Sequence, residues 1–358
     1  LAELDAIVCR NHRNANPVTG AAHCCGHNIQ IANMIAVACG LRDVISELDG
    51  DVVLFAVPAE EYVEIDWRNA QRDEGRLKSL GGKQQLIAEG AFEDIDMAMQ
   101  MHVASGDEFN LGASSNGFIG KLIEYHGRPA HAAFAPEEGI NALNAAMMGV
   151  MGVNAIRETF RDQDHVRFHP IINAGGDLVN VIPDYVKMES YVRASNIGHT
   201  YCTVATDAMA RYNKAVDRAL RAGGDAIGAK CEIRNLPGYL PLAPDDAFRE
   251  VLRDNAVELF GKEKVTLGEH SSGSTDMGDV SLLMPVIHPW VGCVDGVLHG
   301  ADYELRDREA AFTRIPQALA LTIVDLLADG AQKADEICTA FKPRLDRESY
   351  VAFMDDIR

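Results

Sequence analysis

Residues 23–61 run HCCGHNIQIANMIAVACGLRDVISELDGDVVLFAVPAEE, and a helix followed by a buried strand can be read directly from them. Over residues 29–48 the apolar and alanine positions recur with a helical period, and the unbroken apolar run 52–57 predicts a buried parallel strand. A helix feeding a buried strand is half of an α/β repeat. The strand closes on Val57-Pro58-Ala59-Glu60-Glu61, where neighbouring side chains diverge, so one carboxylate can bind a cation while the other handles protons. The stretch opens on His23-Cys24-Cys25-Gly26-His27-Asn28, where Gly26 gives the backbone freedom for Cys25 and His27 to face one cation. A reduced structural cysteine beside a helix-capping histidine would produce the same string.

Upstream, an interior-type strand at residues 51–57 is reached very early in a chain that starts on Leu1, so a missing N-terminal piece of the first domain is expected. Downstream, residues 64–83 read as an inserted loop or short helix, 84–91 as a helix and 97–103 as a second buried strand carrying His102 near its end. His102, and His299 in Leu298-His299-Gly300-Ala301-Asp302, are each explained equally well as satisfied half-buried histidines. Their joint occurrence with Cys25, His27 and Glu61 changes the reading. Sulfur, nitrogen and oxygen donors then stand at strand ends or glycine turns of one α/β domain, where open sheets place their chemistry. With Glu60 as a spare carboxylate, the set suits two closely spaced cations and a water whose pKa falls by several units on coordination.

The pattern changes at Gly117. Strand 117–125, helix 139–160, strands 166–174 and 185–192, helix 200–222 and strand 230–233 form an α+β order. Leu236-Pro237-Gly238 marks a boundary before helix 245–260 returns the chain to the first domain. The predicted layout is a discontinuous metal-binding α/β domain, 1–115 and 236–358, with a mostly parallel sheet flanked by helices, and an inserted α+β domain over 116–235.

At 358 residues and 47% hydrophobic composition, the chain can bury two cores. A net charge of −20, from 33 basic against 53 acidic residues, argues against a nucleic-acid partner. No apolar run reaches the roughly 20 residues that span a bilayer, and Leu1-Ala2-Glu3-Leu4-Asp5 is no secretory leader, so a cytoplasmic protein with no membrane partner is expected. The 8 cysteines show no framework spacing and read as reduced thiols.

Short blocks in consistent order complete the picture: residues 23–28, 58–61, 101–103, 127–133 (Gly-Arg-Pro-Ala-His-Ala-Ala), 180–183 (Asn-Val-Ile-Pro), 273–281 (Gly-Ser-Thr-Asp-Met-Gly-Asp-Val-Ser) and 298–303. On these blocks the chain resembles the dinuclear metallo-amidohydrolases and metallopeptidases that include aminoacylase, plant auxin-conjugate hydrolases and aminobenzoyl-glutamate hydrolase. The resemblance implies a zinc-exopeptidase-like catalytic domain and a ferredoxin-like lid that also dimerises. It implies that Cys25, His27, Glu61, His102 and His299 hold two divalent ions, manganese or zinc with cobalt or nickel compatible, the Cys25 thiolate being shared. Glu60 would be the general base, and His131 would reach a carbonyl oxygen in the neighbouring subunit's site. Asn180 and Arg193 would hold the substrate's polar end, and Asp5 would orient a ligand. The implied reaction is hydrolysis of the amide bond of an N-acyl amino acid. The alternatives are a dipeptidase of the same fold, a catalytically silent small-molecule-binding homologue, and a hydrolase using Cys24 or Cys25 as nucleophile.

Each of the finer assignments has a plainer counterpart. Asn180 could shape the turn before Pro183, His131 could start a helix, and Arg193 could pair with any of the many acids. In the 273–281 block a helix cap is expected, with pocket lining as its consequence, because Ser274, Thr275 and Asp276 all suit that position. The sequence also departs from the pattern. Asn28 stands where many relatives have Asp, which weakens support of a ligand, Cys24 stands for Ala, and Tyr62 follows Glu61 in place of glycine. The 64–83 insertion beside Glu61 bears on pocket shape.

Overall fold

The computed structural model describes residues 1–195 and 208–357. It divides into two compact units. One comprises Leu1–Ser114, Leu242–His270 and Asp276–Arg347, and the other Ser115–Pro241, Ser271–Thr275 and Glu348–Arg358.

In the first unit β1 (Ala2–Glu3) pairs in parallel with a later strand, and β2 (Ile7–Val8) pairs antiparallel with β3 (Ala21–Ala22). Helix α1 (His27–Leu41) starts directly after Gly26, whose φ of 85° lies in the left-handed region and whose added Cβ would meet Val103 Cγ2 at 2.2 Å. Only glycine meets both conditions. The helix expected to reach Leu48 ends at Leu41, and a separate turn, Ile45–Glu47, follows.

The expected strand over 52–57 is much shorter. Only β4 (Ala56–Val57) enters a ladder, with β1, while Val53 and Leu54 are 55% and 46% exposed. An apolar run becomes a buried strand only where a neighbour pairs with it, and among the described residues no strand pairs with Val52 to Phe55 beyond the bond from the Ala2 N–H to the Phe55 carbonyl. Val52 to Phe55 instead border a cavity of about 540 Å³ shared with Met97 to Gln100 and α1. Within the 64–83 segment lies α2 (Ile65–Asp73), and α3 (Gly82–Glu89) follows. The strand expected over 97–103 splits into β5 (Ala98–Met99) and β6 (His102–Ser105), because its halves pair with different later strands. Next comes β7 (Phe109–Asn110).

The second unit contains β8 (Gly117–His126), α4 (Ala142–Ile156), β9 (Arg167–Ala174), β10 (Tyr185–Ala194), α5 (Ala208–Ile227) and β11 (Lys230–Pro237). Its four-stranded sheet has order β11-β8-β10-β9 and is antiparallel throughout, with Tyr185 opposite His126 and Ala194 opposite Gly117. Alternation along β10 buries Val186, Met188, Val192 and Ala194 on one face. Helices α4 and α5 pack on the sheet, and the Tyr125 hydroxyl donates to the Leu220 carbonyl at 2.8 Å. Of the helix expected over 200–222, residues 200–207 lie outside the described residues. The last strand continues four residues past the expected Ile233, so the Leu236-Pro237 boundary signal falls inside β11.

Back in the first unit, α6 (Asp246–Phe260) is capped by Asp245, whose side chain accepts from the Phe248 N–H at 2.9 Å. It is followed by β12 (Val265–Thr266), α7 (Met277–Val280), β13 (Val286–Ile287), β14 (Trp290–Asp295), β15 (Glu304–Leu305) and α8 (Ile315–Leu327). Strands β4, β12, β13 and β14 pair in parallel with β1, β7, β5 and β6 respectively, so this unit is an α/β layer structure. The span Ala310–Leu327 is long and apolar enough to cross a membrane by length and composition, which the sequence reading did not register. Here it is a core helix, with Ala311, Ile315, Ala318 and Leu326 buried in one cluster with Phe248, Leu252 and Val291.

Candidate metal centre

The site grows from the ends of β1, β4 and β6 and the start of α1. His27, the first residue of α1, is fully buried. Its Nδ1 lies 3.0 Å from the Asp5 carbonyl, which can only accept, so Nδ1 carries the proton and Nε2 presents a lone pair. Asp5 also accepts the Glu61 N–H through Oδ2 at 2.7 Å, so this aspartate fixes both an imidazole and the loop after β4. Burial lowers the proton affinity of His27, but the hydrogen bond it donates to Asp5 and the charge of Glu3 more than offset it.

His102 opens β6 and is buried. Its Nδ1 donates to the Val103 carbonyl at 2.8 Å, and its Nε2 lies 3.4 Å from Cys25 Sγ. Trp290, its partner in the β6–β14 ladder, stacks on the ring with centroids 4.0 Å apart. Burial pushes the His102 pKa down to about 4, which keeps the ring neutral, the form that binds cations.

The loop after β4 turns sharply at Ala59, with φ 61°, and is clamped from two sides. The Gly82 N–H donates to the Ala59 carbonyl at 2.9 Å, and Arg68 of α2 donates to the Glu61 carbonyl at 2.9 Å. The inserted segment thus shapes the loop. Glu61 Oε1 stands 3.2 Å from His299 Nε2. His299, with φ 68°, is tied back by its N–H to the Cys24 carbonyl at 2.9 Å.

Cys25, His27 and His102 offer donor atoms that all lie within 4.8 Å of one another, and Cys25, Glu61 and His299 do the same. The two clusters share the Cys25 sulfur. Among the described residues, His27 Nε2 and Glu61 Oε1 are buried with no hydrogen bond of good geometry, His299 Nε2 standing 3.2 Å from the latter. Burial, then the charges of Glu61 and Glu60, push the Cys25 thiol far above its usual range. Buried acceptors without donors, around a thiol that ionises only beside positive charge, fit two divalent cations. Glu60 lies beside them with Oε2 4.0 Å from His27 Nε2. Burial, then the charges of Glu3 and Asp276, raise its pKa well above the ordinary carboxylate range.

His131, Asn180 and Arg193 belong to the second unit. His131 Nδ1 accepts the N–H groups of Ala133 and Phe134, which leaves Nε2–H as an exposed donor. The Asn180 carbonyl accepts from the Ala132 N–H at 2.9 Å, so Asn180 shapes the same turn. Arg193 pairs with no acid among the described residues. It donates to Ser274 Oγ at 2.7 Å and His169 Nε2 at 3.1 Å, and its guanidinium sits over Phe118 and Tyr191.

Asp5 orients the His27 imidazole, as the resemblance implies, while Asn28 is exposed. One expectation is corrected. Asp276 precedes α7 but makes no side-chain cap, since its carboxylate accepts both the backbone N–H and the Nζ of fully buried Lys83, at 3.1 and 2.5 Å. The sequence reading missed Glu3, Lys83 and this use of Asp276. Glu3 was within reach, because it sits two residues before Asp5, in the short strand that leads to it.

A sequence model of "Peptidase family M20/M25/M40" matches residues 4–324. The chain is 29% identical over 350 residues to an Xaa-Arg dipeptidase of Mus musculus, covering 94% of this chain and 73% of that one. It is 26% identical over 304 residues to the N-acetylcysteine deacetylase of Bacillus subtilis, covering 81% and 71%. The solved structure of the YxeP protein of Bacillus subtilis, a dinuclear metal-binding peptidase, matches with a TM-score of 0.61 at 20% identity over 91% of this chain and 80% of that one. At that identity the likeness speaks to the fold.

Proposed function

The chain belongs to peptidase family M20/M25/M40, with an α/β catalytic domain and an inserted antiparallel lid domain, and from that premise we propose that it is a metal-dependent dipeptidase. The observation that carries this reading is the pair of donor clusters meeting at Cys25 with Glu60 alongside. Cys25, His27 and His102 would hold one ion and Cys25, Glu61 and His299 the other, manganese or zinc by donor type, with cobalt or nickel compatible. When bound, the ions supply Lewis acidity toward the scissile carbonyl and ionise a water near neutral pH. Glu60 takes the proton of the attacking water and hands it to the departing amine. His131, through Nε2–H, donates to the carbonyl oxygen as it gains charge, in the site of a second copy of the chain brought there by a lid-mediated homodimer. Arg193, with no acidic partner among the described residues, holds the substrate carboxylate together with Asn180.

Hydrolysis of N-acyl amino acids, the first reading of the sequence, becomes the second. The 29% identity to an Xaa-Arg dipeptidase supports the peptide reading, and a net charge of −20 favours substrates with a cationic side chain. The N-acetylcysteine deacetylase similarity keeps acyl amino acids in view. A cytoplasmic location goes with either. The test is a side-by-side assay of the metal-loaded protein on Xaa-Arg and Xaa-Lys dipeptides and on N-acyl amino acids. The expected result is kcat/KM at least tenfold higher on the dipeptides, and the reverse order would install the amidohydrolase reading. Failure to retain any transition metal after reconstitution would favour a silent binding protein.

A further inference from the structure

Behind the cluster, Glu3 of β1 is 1% exposed and almost saturated with donors. Its Oε1 accepts from Lys83 Nζ at 2.8 Å and Gln100 Nε2 at 2.7 Å, and its Oε2 accepts from Gln30 Nε2 at 2.9 Å. Gln30 returns the contact through Oε1, which accepts the Glu3 backbone N–H at 3.0 Å. A carboxylate has about four lone-pair directions, and three are filled. The remaining side of Oε2 faces His27 Nε2 at 3.1 Å.

With the ring's single proton on Nδ1 toward Asp5, that distance separates two acceptors. Among the described residues, His27 Nε2 is buried with no hydrogen bond of good geometry. Two lone pairs facing each other out of water repel unless a positive charge lies between them. Two donor atoms bound to one cation at about 2.0–2.2 Å stand roughly 3–3.5 Å apart, and the observed spacing falls in that range. Charge balance points the same way. Lys83 brings one positive charge to two buried carboxylates, Glu3 and Asp276, and leaves a negative charge uncompensated beside His27. The donor atoms of Glu3, His27 and Glu60 also lie within 4.8 Å of one another.

We propose that Glu3 is a further ligand of the cation held by His27, an oxygen donor on the Glu60 side of that imidazole, and that Lys83, Gln30 and Gln100 aim it there. A hard oxygen in an otherwise sulfur and nitrogen set widens the site's tolerance toward manganese. The proposal rests on the metallohydrolase reading only for the presence of cations, not on the choice of substrate.

The direct test is X-ray absorption and crystallography of the protein loaded with Zn²⁺ alone. Glu3 Oε2 is expected at about 2.0–2.2 Å from one ion. A separation above 3 Å, with a doubly protonated His27 making the contact in the metal-free chain, would overturn the assignment. Calorimetric titration of the metal-stripped protein with Zn²⁺ adds a second reading. Glu3→Gln should weaken one binding step by more than about a hundredfold, beyond the usual effect of removing a ligand's supporting partner, and leave the other step within about threefold. Equal affinities in wild type and variant would refute it. Should Glu3→Gln misfold because its amide meets three donors, the pair Glu3→Gln with Lys83→Met removes the clash, and the same loss of one step is expected. Cys25→Ser is the control, since it should weaken both steps. If it weakens neither, the shared-sulfur centre fails, and Glu3 loses its cation with it; a loss of both steps with no change from Glu3→Gln would sink the Glu3 assignment alone.

Discussion

Glu60 and Glu61 adjoin in sequence yet meet different surroundings. Glu61 faces His299 at 3.2 Å, whereas Glu60 stands 4.0 Å from His27 with its proton affinity raised by burial. Glu60→Gln should therefore retain bound metal by elemental analysis and lose about a hundredfold to ten-thousandfold in kcat. Wild-type turnover in that variant would remove Glu60 from the role of base. His131→Ala should likewise leave metal content unchanged while kcat falls on the order of a hundredfold, the scale of one lost oxyanion donor. Cys25, His27, Glu61, His102 and His299 were legible as candidates because each stands at a strand terminus or a glycine turn, and the fold brings their donor atoms into two adjoining clusters. Lys83 could not. A lysine in a polar stretch reads as solvated, and only the fold shows that Glu3 and Asp276 converge on it.

Among the elements, α3 has the least room. A Cβ on Gly82 would fall 1.7 Å from the Pro58 carbonyl oxygen, so the helix start rests directly on the loop that carries Glu60 and Glu61. Gly82→Ala should lower stability by about 2 kcal/mol or more in denaturant titration and weaken metal binding at Glu61, because the backbone must separate to admit the methyl. Stability within error of wild type would show that the loop yields freely. The same kind of neighbour dependence limits what a sequence discloses about strands. Helix α6 was legible because its period and its Asp245 cap are local signals. The 52–57 run was over-read because apolar character says nothing about how far a partner strand extends, and 97–103 was read as one strand because pairing with two partners leaves no trace in the residues themselves.

At the scale of the molecule, proton uptake decides acid tolerance. The His102 pKa is pushed to about 4 by burial, and that of His288 to about 3 by burial and the nearby His102, against an ordinary 6.5. Between pH 6.5 and these values the unfolded chain binds protons that the folded chain refuses, so stability falls as pH drops through that window. Asp276, raised to about 6 by burial, works the other way between pH 6 and 3.8, as do Glu60 and His27, both raised, while His23 and His169, both lowered by burial, add to the loss. The metal-free protein should lose roughly a few kcal/mol between pH 7 and 4 in equilibrium unfolding, and a flat profile would contradict the buried neutral imidazoles. The division into an α/β unit and an antiparallel insert could be read from the switch in pattern at Gly117, since apolar periodicity is a property of whole segments.

A centre in which one sulfur belongs to both donor clusters ties the fates of its two seats together. Removing a proton from that single atom prepares both, and capping or oxidising it weakens both, although each seat keeps two donors of its own. A single thiol modification would then lower the affinity of the pair at once.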